Sequence, residues 1–329
     1  MLTVQFLSFH KIRSSISPSF IVCRLVCVHV LISTIGWQST WAQGDIPCDF
    51  NKPGSSLAKW YPDGKSLIFH KSGTKSGIYK ISADGSGLRL MIASKTTIGH
   101  PSVAPDNETI LYQRRNNTTG KDVLVLSYRN GKERILTDSL YSSTDGSLHP
   151  EGTWLAYAGL VGDNLDIYLL QLNGSVKMRL TYDVGYDYSP HWSPDGSKLI
   201  FTSHRDGGPD IFMMETDGSN KTNLTPGDRE EFSAAWAPEG GRIVYSSRAV
   251  AVPDGKDPNI KHNSSDLYIL DLENKTSTRV TQNSDLDVLP HWSPDGKRIT
   301  FTTCKNGNRE IAIIDENGLN FLSLTKTDE

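Results

Sequence analysis

The chain has little cysteine, no basic stripe, no apolar run of membrane length and, beyond residue 42, no helical periodicity. Four of its 329 residues are cysteine, and two of these, Cys23 and Cys27, lie in the first 42 positions. The remaining pair, Cys48 and Cys304, forms no C-x-x-C, so neither a zinc site nor a dithiol redox motif is supported. The formal net charge is −3, and no basic patch offers the electrostatic footprint of a nucleic-acid partner. The one apolar run, Leu25 to Trp37, is preceded by Arg24 and interrupted by His29. It falls short of the about 20 residues a helical span requires. Catalytic signatures are missing as well: no G-x-S-x-G elbow, no H-E-x-x-H, no phosphate loop and no acidic calcium loop.

What is present begins with a leader. Residues 1–42 carry Lys11, Arg13 and Arg24 and no acid, then the apolar run, then a small-residue cleavage site at Thr40-x-Ala42. This reads as an export signal, which places residues 43–329 outside the cytoplasm, secreted or periplasmic. Membrane attachment would come only from an uncleaved leader. Without it the chain holds 31 basic and 37 acidic residues, a net charge of −6. Export puts Cys48 and Cys304 in an oxidising compartment, and their isolation there suggests a disulfide between them.

The rest is repetition. "PHWSPDGSKLIFTS" from Pro190 returns as "PHWSPDGKRITFTT" from Pro290. Aligned on this turn, units start at Pro62, Pro105, Pro150, Pro194, Pro238 and Pro294. Each has an apolar stretch before the turn, then a β-rich run such as "KSLIFH" or "GRIVYS". A polar loop, a third run ("GIYKIS", "DLYILD"), a Gly/Asn turn and a closing run such as "KMRLT" or "TRVT" complete it. Alternating β-branched and aromatic strands between turn residues predict four antiparallel strands per unit. Six such units, each 40–60 residues long, predict an all-β, six-bladed β-propeller of four-stranded antiparallel blades, each contributed by continuous sequence.

The stretch "HWSPDGSKLIFTSHRDGGPDIFMMETDGSNKTNLT" resembles the TolB-type, WD-like propeller repeat, most fully in units 4 and 6. The resemblance implies the fold strongly and the activity weakly, because propellers host binding proteins, lyases, hydrolases and peptidase gates.

Structure repeats from unit to unit, so chemistry is sought where the units differ. The tryptophans Trp60, Trp192, Trp236 and Trp292, with Phe69, Tyr112, Tyr157, Phe201, Tyr245 and Phe301, suit packing between blades. The acids opening the third run (Asp122, Asp166, Asp210, Asp266, Glu310) suit turn caps. The innermost run varies. Before the aromatic position stand Lys59, Ser102, Ser147, His191, Ala235 and His291, and four residues further upstream stand Ser55, Ile98, Ser143, Asp187, Glu231 and Asp287. Strand alternation places Asp187, Ser189 and His191 on one face, and Asp287, Leu289 and His291 on another. Lys59, Asp187, His191, Glu231, Asp287 and His291 are therefore the candidate ligand-binding set at a channel mouth. Carboxylate and imidazole together also suit a divalent metal there, although no cofactor is called for. The long fifth unit, with "RAVAVPDGKDPNIKHNSSD" between its second and third runs, is expected to overhang this mouth.

Two classes of function remain open. One is a secreted or periplasmic binding or scaffold module, a monomer taking a protein, peptide or glycan ligand. The other is a metal-assisted enzyme on acidic sugars, similar to oligogalacturonate lyases, whose related repeats hold a metal through channel histidines. N-terminal sequencing of the exported protein is expected to begin at Gln43; a start at Met1 would refute the leader.

Overall fold

In the computed structural model the described residues are 48, 52–138, 140–249, 264–282, 285–305 and 307–325. The expected leader lies outside them, as does most of the fifth-unit insertion, residues 250–263. Blade 1 consists of strands Gly54–Trp60, Ser66–Ser72, Gly77–Ser82 and Arg89–Ala93, and blade 2 of Ile98–Val103, Ile110–Arg115, Asp122–Ser127 and Glu133–Ile135. Blade 3 has Ser143–Leu148, Trp154–Val161, Asn164–Gln171 and Lys177–Arg179; blade 4 has Asp187–Trp192, Lys198–Ser203, Asp210–Glu215 and Thr222–Asn223. Arg229–Trp236, Arg242–Ala249, Asp266–Asp271 and Thr276–Arg279 form blade 5, and Val288–Trp292, Arg298–Lys305, Asn308–Asp315 and Leu322–Ser323 form blade 6. Every sheet holds four consecutive antiparallel strands, so each of the six blades is contiguous in sequence.

Local chemistry sets the blade. The turn after each inner strand is closed by a backbone bond such as Gly64 N–H to Tyr61 O (2.9 Å). Gly64 has φ 67°, and in the second unit Asn107 takes the same place at φ 61°, since asparagine tolerates this left-handed region better than most residues. At the outer edge a threonine hydroxyl accepts from the third strand's backbone in five blades: Leu124 N to Thr137, Ile167 N to Thr181, Ile211 N to Thr225, Leu267 N to Thr281 and Ile311 N to Thr325. The acids opening the third strands pair across the sheet instead of capping turns. Asp166 holds Arg179, Asp266 holds Arg279, Asp210 holds Asn223 and Glu310 holds Ser323, while Asp122 holds Arg115 of the second strand.

The core lies between blades. Trp292 of blade 6 packs with Val244, Leu267 and Ile269 of blade 5, and Trp236 packs with Ile200 and Ile211 of blade 4. Phe69, Tyr112, Tyr157, Phe201 and Phe301 are all but inaccessible; burying each such side chain contributes roughly 1.5–3 kcal/mol.

The seam uses the same contacts. Trp60 of blade 1 packs with Ile311, Ile313 and Leu324 of blade 6, and Leu57 N donates to Thr302 Oγ1 (3.2 Å). Arg309 Nη2 donates to Lys52 O (2.7 Å) and Ser72 Oγ (3.0 Å). Cys48 and Cys304 form a disulfide with a Cα–Cα separation of 5.5 Å. Among the described residues no strand is exchanged; side-chain contacts, this one covalent bond and a single parallel backbone bridge between Cys48 and Gly307 join the two ends of the ring.

The disulfide spans 256 residues. By the chain-entropy argument a loop of that length restricts the unfolded state by about 5 kcal/mol. Replacing both cysteines by serine is expected to lower the calorimetric Tm by on the order of 10 °C. An unchanged Tm would show that the bond is not formed or not stabilising.

Candidate functional site

All six inner strands depart from regular alternation at the same place. In each, the register to the second strand shifts just before the residue that precedes the aromatic position. In blade 4, Tyr188 pairs with Thr202 and His191 with Ile200, so Ser189 and Pro190 together oppose Phe201. The first bulge residue is left-handed in every blade: Leu57 (φ 62°), His100 (48°), Asp145 (55°), Ser189 (51°), Ser233 (57°) and Leu289 (59°). None is glycine, and this conformation costs an L-residue roughly 1–2 kcal/mol. Backbone bonds to the preceding blade help hold it: Leu57 N to Thr302 Oγ1, Ser189 N to Asp145 Oδ2 and Ser233 N to Thr202 Oγ1.

These six residues ring a cavity of about 80 Å³ in the central channel, which Lys59, His191, Ala235 and His291 also line. One side is polar. His100 Nδ1 lies 2.6 Å from Asp145 Oδ1, and Ser189 donates to Asp145 Oδ2 through N (3.3 Å) and Oγ (3.1 Å). Burial would raise the Asp145 carboxyl, but the neighbouring His100, these hydrogen bonds and the charge of Lys59 outweigh it and hold it below its usual value. The other side carries Leu57 and Leu289.

The two repeated histidines meet. His191 Nε2 and His291 Nε2 are 3.5 Å apart, and each Nδ1 lies about 3 Å from the carbonyl of the following tryptophan. His191 Nδ1 also lies 3.5 Å from the Trp236 N–H, so the two rings are held from behind by backbone groups while their Nε2 atoms face each other. Burial, then the charge of Lys59, push His191 down to about 3. Burial, His191 and Lys59 together hold His291 well below its ordinary value. Both rings are neutral at physiological pH. Lys59 is itself lowered by burial, which the charge of Asp145 partly offsets.

Of the six side chains expected at the mouth, Lys59, His191 and His291 line the cavity, whereas Asp187, Glu231 and Asp287 do not. The bulge is the reason. One extra residue inverts the alternation, so Asp187 shares a face with Trp192 and not with His191. Asp187 is buried against Arg205, whose Nη2 lies 3.1 Å from both carboxylate oxygens. Asp287 accepts from Thr303 Oγ1 (2.6 Å). Glu231 accepts from Ser247 Oγ (2.9 Å), while its Oε2 is buried without a partner. His100 and Asp145 were not singled out from the sequence, although they occupy the same column as Ser189 and Leu289. The signal available was the column three residues before the aromatic position, which reads Leu, His, Asp, Ser, Ser, Leu around the ring.

Among the described residues, no group of three or more His, Cys, Asp or Glu is placed to hold a metal ion. A larger groove of about 370 Å³ lies between blades 4 and 5 at the opposite end of the strands. Its walls are repeat residues such as Pro194, Asp195, Glu239 and Gly240, which supply no chemistry particular to that position.

Comparison with known proteins places the chain among relatives. Residues 141–256 match the family model described as the TolB beta propeller domain. A protein TolB homolog of Chlorobium chlorochromatii is 29% identical over 140 residues, 42% of this chain and 31% of that one. A protein of Agrobacterium fabrum is 27% identical over 145 residues, 43% of this chain and 48% of its own length. The matched stretch thus spans less than half of these curated relatives. Among solved structures, TolB from Acinetobacter baumannii superposes with a TM-score of 0.63 at 20% identity, over 83% of this chain and 63% of that one. An oligogalacturonate lyase from Vibrio parahaemolyticus gives 0.55 at 15% identity, over 80% and 91%.

Glu231 yields a pH signature. Burial, reinforced by Asp210 and Glu230 and opposed by Ser247 and Arg229, pushes its carboxyl up to about 7. A raised folded-state value stabilises the fold below the unfolded value and loses that contribution as pH rises toward 7. Stability should therefore fall between about pH 4.5 and 7, by at most about 3 kcal/mol. Glu231→Gln is expected to remove this component from the pH profile of the Tm, and a superimposable profile would refute the assignment.

Proposed function

This chain is a six-bladed propeller of TolB-type repeats, and from that premise we propose that it is an extracytoplasmic binding module whose partner is a protein or peptide seated over the channel mouth. The observation that carries the reading is the size and character of the channel. Pockets that enclose a small-molecule ligand run about 300–1,000 Å³, and this cavity, at about 80 Å³, has room for the tip of a side chain. A ligand with most of its bulk outside and one group inside fits that geometry; a whole sugar ring does not.

The rim supports the same reading. Leu140 and Tyr141 precede the inner strand of blade 3, and Tyr182 and Val184 precede that of blade 4. All four are exposed, Val184 completely. Apolar side chains gathered on neighbouring loops at one end of a rigid scaffold suit a docking surface. The export signal expected in residues 1–42 would place this surface outside the cytoplasm. The metal-assisted lyase reading has less behind it, since His191 and His291 converge without a third ligand among the described residues.

A photo-crosslinking residue at Tyr182 or Val184, in the protein expressed in its own host, should give a discrete protein adduct on illumination. The same residue at Asp195, at the opposite end of blade 4, should give none. Equal labelling at Asp195, or no adduct at either rim position, would overturn the proposal.

A further inference from the structure

Lys59 is a channel cation that no carboxylate contacts directly; Asp145 acts on it only through space. It sits one residue before Trp60 on the inner strand of blade 1 and reaches the channel cavity beside His191, His291 and Asp145. Among the described residues it makes no ion pair or hydrogen bond. Asp145, the one carboxylate in the lining, already accepts from His100 Nδ1 and twice from Ser189. The two histidines facing Lys59 bring no negative charge. His100 Nε2 is buried in the same lining with no partner. A half-buried ammonium in this state gains from a group of opposite sign placed against it.

We propose that the channel is a carboxylate site, in which Lys59 Nζ receives a carboxylate borne on a short aliphatic stem at the tip of the docked partner. The proposal rests on the binding reading above and names the chemistry of its ligand. Three features select this guest. The space suits a carboxylate with a methylene or two. Leu57, Ala58, Ala234 and Leu289 give the stem an apolar wall, while the head meets a charged donor, the stronger kind of hydrogen bond. Charge balance excludes the alternatives: a phosphate dianion would bring two negative charges to one lysine with Asp145 close by, and a metal cation would be set against the ammonium.

A peptide C-terminus, an acidic side chain and a uronic acid all present this chemistry. The test is titration of the isotope-labelled protein, following the amide resonances of Ser189 and Ser233. The probes are N-acetylglycine, uncharged N-acetylglycinamide, galacturonate and inorganic phosphate. N-acetylglycine should give saturable shifts and the amide none. Lys59→Met should weaken N-acetylglycine by at least about tenfold. Lys59→Arg should retain binding. No saturable shift with N-acetylglycine, equal shifts with the amide or in Lys59→Met, or tighter binding of phosphate would overturn the inference. Tighter binding of galacturonate than of N-acetylglycine would keep the carboxylate site and sink the protein partner. Capture of a protein at the rim with no carboxylate response would sink the site alone.

Discussion

The extra residue in every inner strand is the constraint on which the rest of the architecture depends. Six left-handed non-glycine residues, each costing roughly 1–2 kcal/mol, line the cavity in the central channel. Strain of this kind persists only where the surroundings over-determine it. Here they do: the next two residues return to the sheet register, the tryptophan or its substitute is locked against the preceding blade, and several bulge N–H groups are held by that blade's side chains. The bulge turns one column of side chains inward to the axis and moves another into the sheet packing. It thereby decides which residues are available for chemistry and which are structural.

That division explains how far the sequence could be read. The turn, the aromatic column and the β-branched runs each recur six times, and a repeated pattern averages away local ambiguity, so blade number, strand order and the absence of strand exchange were all legible. The site was only half legible. Lys59, His191 and His291 adjoin the aromatic position, on the near side of the bulge, where alternation still holds. Asp187, Glu231 and Asp287 lie beyond it, and the same rule assigns them to the wrong face. A bulge whose left-handed residue is Leu, His, Asp or Ser, and never glycine, lacks the usual marker of that conformation. His100 and Asp145 stand in a column that varies from unit to unit and was open to the same comparison.

Electrostatics follow from this geometry. The inward column gathers a cation, two neutral imidazoles and one buried, hydrogen-bonded carboxylate into a small space, while the displaced acids are held elsewhere: Asp187 is paired with Arg205, Asp287 accepts from Thr303, and Glu231 has a raised proton affinity. Had the acids faced the axis, they would have supplied Lys59 with counter-ions and left the channel without a preference for an anionic guest. The selectivity argued for the channel is thus a product of backbone register as much as of residue choice.

The contiguity of the blades has a further consequence. With no strand donated across the seam among the described residues, the junction between blades 6 and 1 is built like the other five, apart from the Cys48–Cys304 bond, the Cys48–Gly307 backbone bridge and the Arg309 contacts. Spatial order around the ring is therefore independent of where the polypeptide happens to be interrupted. In genetic terms the modules are interchangeable in position: a circularly permuted gene, opened between any two units, would encode the same ring. Duplication of whole units is then a route by which such a ring could have grown, with divergence confined to the few inward positions that distinguish one module from the next.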